Sequence, residues 1–212
     1  MSFDLSASVA QDVAFVASDA PCSPTDQLEG GWSCFRGRGD QYHGTPAPGT
    51  RLPSGPASGP TRLLIGVEVP FEAWTLGARV GWAFRGLGPA SDGQHDARTA
   101  SIEALGRVHL TTSGSFRLDL LGVVGWRRLD AHASVTVTED RSVPPSLYQR
   151  DNPDRQTLDA YKRLGMGAIG VGLAATYVAA TWSALRLEVP VSAFFPTSGV
   201  AVTPTASWVV TL

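Results

Sequence analysis

The segment DAHASVTVTED, residues 130–140, places His132 and Ser134 two positions apart, with Glu139 after them. In an extended strand, positions i and i+2 share a face. A hydroxyl beside an imidazole, with a carboxylate to orient the ring, is the smallest set that can run nucleophilic acyl transfer. The other histidines offer less. His43 and His95 fall in loop-like sequence, His95 with Asp96 beside it, and His109 closes an alternating segment. Arg38-Gly39-Asp40 forms an integrin-type triad, but Arg and Gly are so abundant here that a chance occurrence is the expected reading. Cys22 and Cys34 stand twelve apart without clustered histidines, so they build no metal site. No residue is assigned to catalysis, cofactor or metal on this evidence, and a non-enzymatic chain is expected. A hydrolase using His132 and Ser134 is the alternative.

The elements that position these residues follow from composition and period. The 212 residues suit one domain, 1–212. An apolar content of 43% excludes a disordered chain, and no run reaches the length of a membrane helix. A net charge of −2 gives no basis for binding nucleic acid. Of 17 basic residues only Lys162 is lysine. Arginine suits fixed, paired, partly buried positions better than a solvated surface does.

In WTLGARVGWAFRG, residues 74–86, Trp74, Leu76, Ala78, Val80, Trp82 and Phe84 lie on one face. Thr75, Gly77, Arg79, Gly81, Ala83 and Arg85 lie on the other. The same period of two recurs near 3–15, 63–71, 102–110, 116–126, 169–177, 185–195 and 200–212, eight segments in all. That repetition predicts an all-β sandwich or barrel. Connections alternate strictly between short and long. The long ones cover about 17–61, 86–98 and 139–158, and the first is rich in Pro, Gly and Ser and reads as a surface loop.

Aromatics bracket the apolar faces. Trp74 and Phe84 are ten residues apart, as are Phe116 and Trp126. Ten tilted residues rise about 25 Å, the height of a membrane barrel's apolar band. Phe3, Phe15, Phe71, Trp82, Tyr177, Trp182, Phe195 and Trp208 complete two expected girdles. A soluble core would instead hold its aromatics at mid-strand. The opposite face carries Asp4, Asp12, Glu68, Glu103, Asp119 and Glu188 against Arg79, Arg85, Arg107, Arg117, Arg127 and Arg186. Inside a narrow barrel these charges must pair, and Glu68 is the expected partner of Arg79.

With alternating short and long connections and a closing TASWVVTL, in which Trp208, Val210 and Leu212 keep the apolar register, the chain resembles the small OmpA-like eight-stranded outer-membrane barrels of Gram-negative bacteria. The resemblance covers the whole chain as a pattern. It implies an antiparallel up-and-down transmembrane β-barrel with long extracellular loops, in contact with outer-membrane lipid and lipopolysaccharide. It implies export, hence a signal sequence removed before Met1. In an oxidising compartment Cys22 and Cys34 are expected to form a disulfide, whereas in the cytosol they would stay free. The His-x-Ser spacing at 132–134 is similar to that of outer-membrane lipid A deacylases.

The leading expectation is an envelope component that anchors or presents loops to a protein partner. A rim hydrolase is one alternative. A soluble lipocalin-like binder, with its faces reversed, is the other.

Overall fold

The computed structural model describes residues 2–37, 39–88, 100–142, 153–197 and 199–212. The chain forms β1 (Asp4–Ser18), α1 (Pro24–Leu28), β2 (Trp32–Phe35), β3 (Leu52–Pro70), β4 (Trp74–Arg85) and β5 (Ala100–Ser113). It continues with β6 (Phe116–Thr138), β7 (Arg155–Ala180), β8 (Ser183–Phe195), β9 (Gly199–Val202) and β10 (Thr205–Thr211). All pairings are antiparallel. β9 and β10 are two halves of one strand, and β10 pairs with both β8 and β1, so eight strands close into a barrel.

The register sets the geometry. Hydrogen-bonded partners lead from Asp4 through Glu68, Gly77, Leu105, Val123, Gly170, Ser192 and Ala201 back to Ala14. One circuit therefore returns ten residues further along β1. With standard strand spacings, that stagger tilts the strands by about 40° and makes a barrel narrow enough to be filled by side chains.

Three differences from the sequence reading matter. β3 begins at Leu52, inside the stretch expected to be loop. It pairs with β1 through Pro56 opposite Phe15, and Pro53, Pro56 and Pro60 are tolerated because β4 runs no further along it than Thr61. β6 and β7 run on to Thr138 and back from Arg155, beyond the alternating segments 116–126 and 169–177 but close to the expected connection 139–158, and Ser58 of β3 pairs with His132 beside them. Pro190 and Pro204 fall in the same break of the closing strand, between the pairs Val191–Val202 and Glu188–Thr205. Each lacks an N–H, and together they interrupt the ladder once rather than twice.

β2, within the first long connection, pairs with β7 from Trp32–Lys162 to Phe35–Asp159. β8 leaves β7 at Gly167–Phe195, so β2 takes over that edge where β8 ends. The connection between β1 and β3 thus crosses the mouth of the barrel and joins the far wall.

Candidate functional site

Two arrangements stand out: a charge ladder inside the barrel, and an apolar cap over its long-loop end. The ladder begins with Glu68, which accepts from Arg107 at 2.5 and 3.1 Å and from Arg186 at 2.8 and 2.9 Å. Arg107 also donates to Glu188. Arg79 bridges Glu188, at 2.7 Å, and Glu103, at 2.5 Å. Glu103 in turn accepts from Arg127 at 2.5 Å and Arg62 at 3.3 Å. Arg62 donates to Asp12 at 2.8 Å, and the Thr203 hydroxyl donates to the same carboxylate at 2.7 Å. All nine charged members are buried. Buried charges are costly alone and tolerable in such mutually hydrogen-bonded chains.

Glycines opposite the charges make room for them. A Cβ on Gly77 would come within 2.6 Å of the Glu68 side chain, and one on Gly125 within 2.4 Å of the Ile102 carbonyl oxygen. A larger residue at either place would push the wall off the ladder.

Several expected pairings differ. Arg79 does not meet Glu68: it stands opposite Gly66 and Glu103, while Glu68 stands opposite Gly77. Arg117 lies apart from the ladder and donates to Asp119 at 3.2 Å; Asp119 also bonds His109 Nδ1 at 2.7 Å. Arg85 is exposed, because a bulge between Thr61 and Arg62 ends the β3–β4 ladder there. The sequence reading also passed over Arg62, whose inward parity was legible beside Leu63, and the pair Arg128–Asp130, which sits at a bulge of β6.

Above Arg127 the interior changes character. The Arg127 guanidinium carbon lies 5.1 Å from the centre of the Phe194 ring, and beyond it Leu129, Ala131, Val135 and Val137 of β6 face Leu158, Ala160 and Leu164 of β7 in one buried core. The β1–β3 connection completes this core with Trp32, Tyr42 and the Cys22–Cys34 disulfide, whose Cα atoms are 5.6 Å apart. The predicted bond is formed. Ser23 caps α1 by accepting from the Asp26 N–H, which holds the disulfide-closed segment in shape. The connection is tied to the β6–β7 tip at Glu139, which accepts from Gln156 Nε2 at 3.0 Å and the Thr45 N–H at 3.3 Å. The Ala47 N–H donates to the Thr138 carbonyl at 2.7 Å. Burial, reinforced by the nearby Glu139 carboxylate, raises the Tyr42 phenol well above its ordinary range.

The outer face of the barrel is apolar up to Trp126, and all twelve expected girdle aromatics are exposed. By register, Phe3, Phe71, Trp74, Phe116, Tyr177, Trp182 and Trp208 ring the short-turn end. Phe15, Trp82, Phe84, Trp126 and Phe195 form the other ring, beneath the cap. Above that second ring the outer face of β6 and β7 becomes polar: His132, Ser134, Thr136, Thr157, Asp159 and Tyr161.

His132 and Ser134 do share this outer face, but Glu139 is not their partner. Odd-numbered β6 side chains point inward, and that direction takes Glu139 to the cap. His132 Nε2 instead bonds Asp159 at 3.0 Å, and its ring lies 4.8 Å from that of Tyr161. His95 and Asp96 lie outside the described residues, as does Arg38. His43 and Asp40 belong to the β1–β3 connection. Among the described residues no group of His, Cys, Asp and Glu is arranged to hold a metal ion.

No family model matches the chain, and no curated protein does. Among solved structures it is similar to Neisserial surface protein A, NspA, at 11% identity, covering 99% of this chain and 98% of that one with a TM-score of 0.49. It is also similar to the N-terminal β-barrel domain of Pseudomonas aeruginosa OprF, at 10% identity, covering 96% of each with a TM-score of 0.36.

Proposed function

We propose that this chain is a bacterial outer-membrane β-barrel that anchors an ordered, disulfide-closed cap at the cell surface, where the cap meets a protein partner. The observation that carries this reading is an inversion of polarity along one pair of strands. From Phe116 to Trp126, β6 turns Leu118, Leu120 and Val124 outward, while its inward positions combine Asp119 with the buried Leu121 and Val123. From Leu129 to Val137 it turns apolar side chains inward and His132, Ser134 and Thr136 outward. Bulges between Trp126 and Asp130 interrupt the pairing with β7, but odd-numbered side chains point inward on both sides of them, and the outer face changes from apolar to polar. Apolar-out is stable in lipid and apolar-in is stable in water, so the switch marks where the strands leave the bilayer.

The ladder fills the span and the cap seals one mouth, so presentation fits this chain better than conduction. The reading is non-enzymatic: His132 is engaged by Asp159, and Glu139 turns inward to the cap instead of toward the His132–Ser134 face. The membrane contacts are outer-membrane lipid and lipopolysaccharide at the two aromatic rings.

The test is folding into lipid. Denatured protein diluted into phosphatidylcholine vesicles is expected to insert, and to migrate differently in denaturing gels before and after boiling. A monodisperse, detergent-free monomer with no affinity for vesicles would overturn the proposal.

A further inference from the structure

Above the cap-side aromatic ring, a cavity of about 240 Å³ lies between Arg128 and Asp130 of β6, Tyr161 and Arg163 of β7 and Gly88 on one side, and Gln27, residues 31–33 of the β1–β3 connection and Thr197 on the other. We infer that this cavity receives the phosphate of a lipid headgroup in the membrane leaflet that surrounds the cap-side ring. The inference rests on the outer-membrane reading and adds a ligand to it.

Position comes first. Arg128 and Asp130 follow Trp126 by two and four residues on β6. A tilted strand climbs about 2.5 Å per residue, so they stand within about 10 Å of the ring, in the headgroup layer. Polar side chains begin on the outer face at this level, and the cavity opens there.

Charge and hydrogen-bond capacity come second. Asp130 is buried and fully engaged: it accepts from Arg128 Nε at 3.0 Å, from Arg128 Nη2, and from the Gly88 N–H at 3.2 Å. That set neutralises Arg128 and fixes it in place. Arg163 is different. Its Nε lies 3.8 Å from Asp130, beyond hydrogen-bond distance, and its side chain is 51% exposed. Two guanidinium groups therefore share one carboxylate, which leaves one positive charge and a planar fork of donors at the mouth of the cavity. Such a fork matches two phosphate oxygens at once.

The wall supplies a further donor. Tyr161 stands between His132 and Phe35, with ring centres 4.8 and 6.0 Å away. Burial, then the charges of Asp159 and Asp130, raise its phenol above the ordinary value, so it keeps its proton. Arginine for the anion and an aromatic wall beside it form a headgroup site at the boundary between apolar and wet surface.

The experiment uses the whole chain in phosphatidylcholine nanodiscs, with and without diphosphoryl lipid A, read by mass spectrometry of the intact complex. Wild-type protein is expected to retain lipid A in preference to phosphatidylcholine. Arg163→Gln should weaken retention about tenfold, the loss of one charge-assisted pair. Arg163→Lys should restore part of it. Arg51→Gln, which removes the same charge from another exposed position, should leave retention unchanged; Arg51 is 74% exposed. Equal retention by wild type and Arg163→Gln would overturn the site, as would an equal loss in Arg51→Gln. Displacement of lipid A by an equal concentration of inorganic phosphate would identify a free-anion site and overturn the lipid assignment. The gel shift on boiling is read on the same samples. Insertion without selective retention defeats only this inference, whereas failure of wild-type protein to insert defeats the membrane reading beneath it.

Discussion

Arg127 and Leu129 project from the same face of β6, two residues apart, into opposite surroundings. Arg127 donates to Glu103 at 2.5 Å and closes the top of the charge ladder, while Leu129 opens the apolar core of the cap. The barrel wall does not turn over between them. In the proposed membrane reading, what changes is the solvent outside it, and the interior changes with it.

Arginine scanning of the outer face should locate that boundary. Val80 is exposed near the middle of the apolar wall, and Val80→Arg is expected to cost about 2–4 kcal/mol in lipid. Val80→Leu should be nearly neutral. Ser134→Arg, exposed above the cap-side ring and opposite Asp159, should stay within about 0.5 kcal/mol of wild type. Equilibrium unfolding in vesicles measures all three. Equal costs at Val80 and Ser134 would contradict the boundary.

The ladder should be strongly coupled. Arg79→Leu leaves both Glu103 and Glu188 short of a partner and is expected to cost about 3–5 kcal/mol. Arg85→Leu removes an exposed arginine outside the ladder and should cost less than about 0.5 kcal/mol. The same unfolding measurement separates them, and a silent Arg79→Leu would remove the ladder's structural role.

The disulfide should matter to the cap more than to the wall. It spans 12 residues of the β1–β3 connection, and replacing both Cys22 and Cys34 by Ser is expected to cost about 2–3 kcal/mol at most. Limited proteolysis should then cut within that connection, while the gel shift on boiling persists. Non-reduced wild-type protein should contain no alkylatable thiol.

The cap should loosen in alkali. The Tyr42 pKa is raised by burial and by the neighbouring Glu139, so this phenol stays neutral in the folded cap. A raised folded value contributes stability that is fully present below the unfolded pKa of about 10 and declines as pH rises above it. Ultraviolet titration should show the Tyr42 phenolate appearing only as the cap opens, above the range of an exposed phenol. Tyr42→Phe should flatten the alkaline loss of stability. A Tyr42 that ionises near pH 10 with the cap intact would contradict the assignment.

Strand alternation, the exposed aromatics and the inward direction of most ladder residues were legible in the sequence because each is a local property. Parity along a strand depends only on the backbone pleat, and the odd positions of β6 face inward both before and after the bulges between Trp126 and Asp130. Cys22 and Cys34 were likewise close enough in sequence to suggest their bond. The identity of charge partners was not local. Whether Arg79 meets Glu68 or Glu103 depends on how far each strand slides against the next, and the ten-residue stagger of the closed barrel decided it. The sequence also carried a Pro- and Gly-rich segment, 52–61, whose own preferences say loop. Its strand conformation comes from β1, which offers a ready ladder on one side where β4 has already ended on the other. The cap was hidden for the same reason. Trp32, Tyr42, Leu129 and Leu158 lie far apart in the chain, and only closure of the wall brings them over one mouth, where water outside makes burying them favourable.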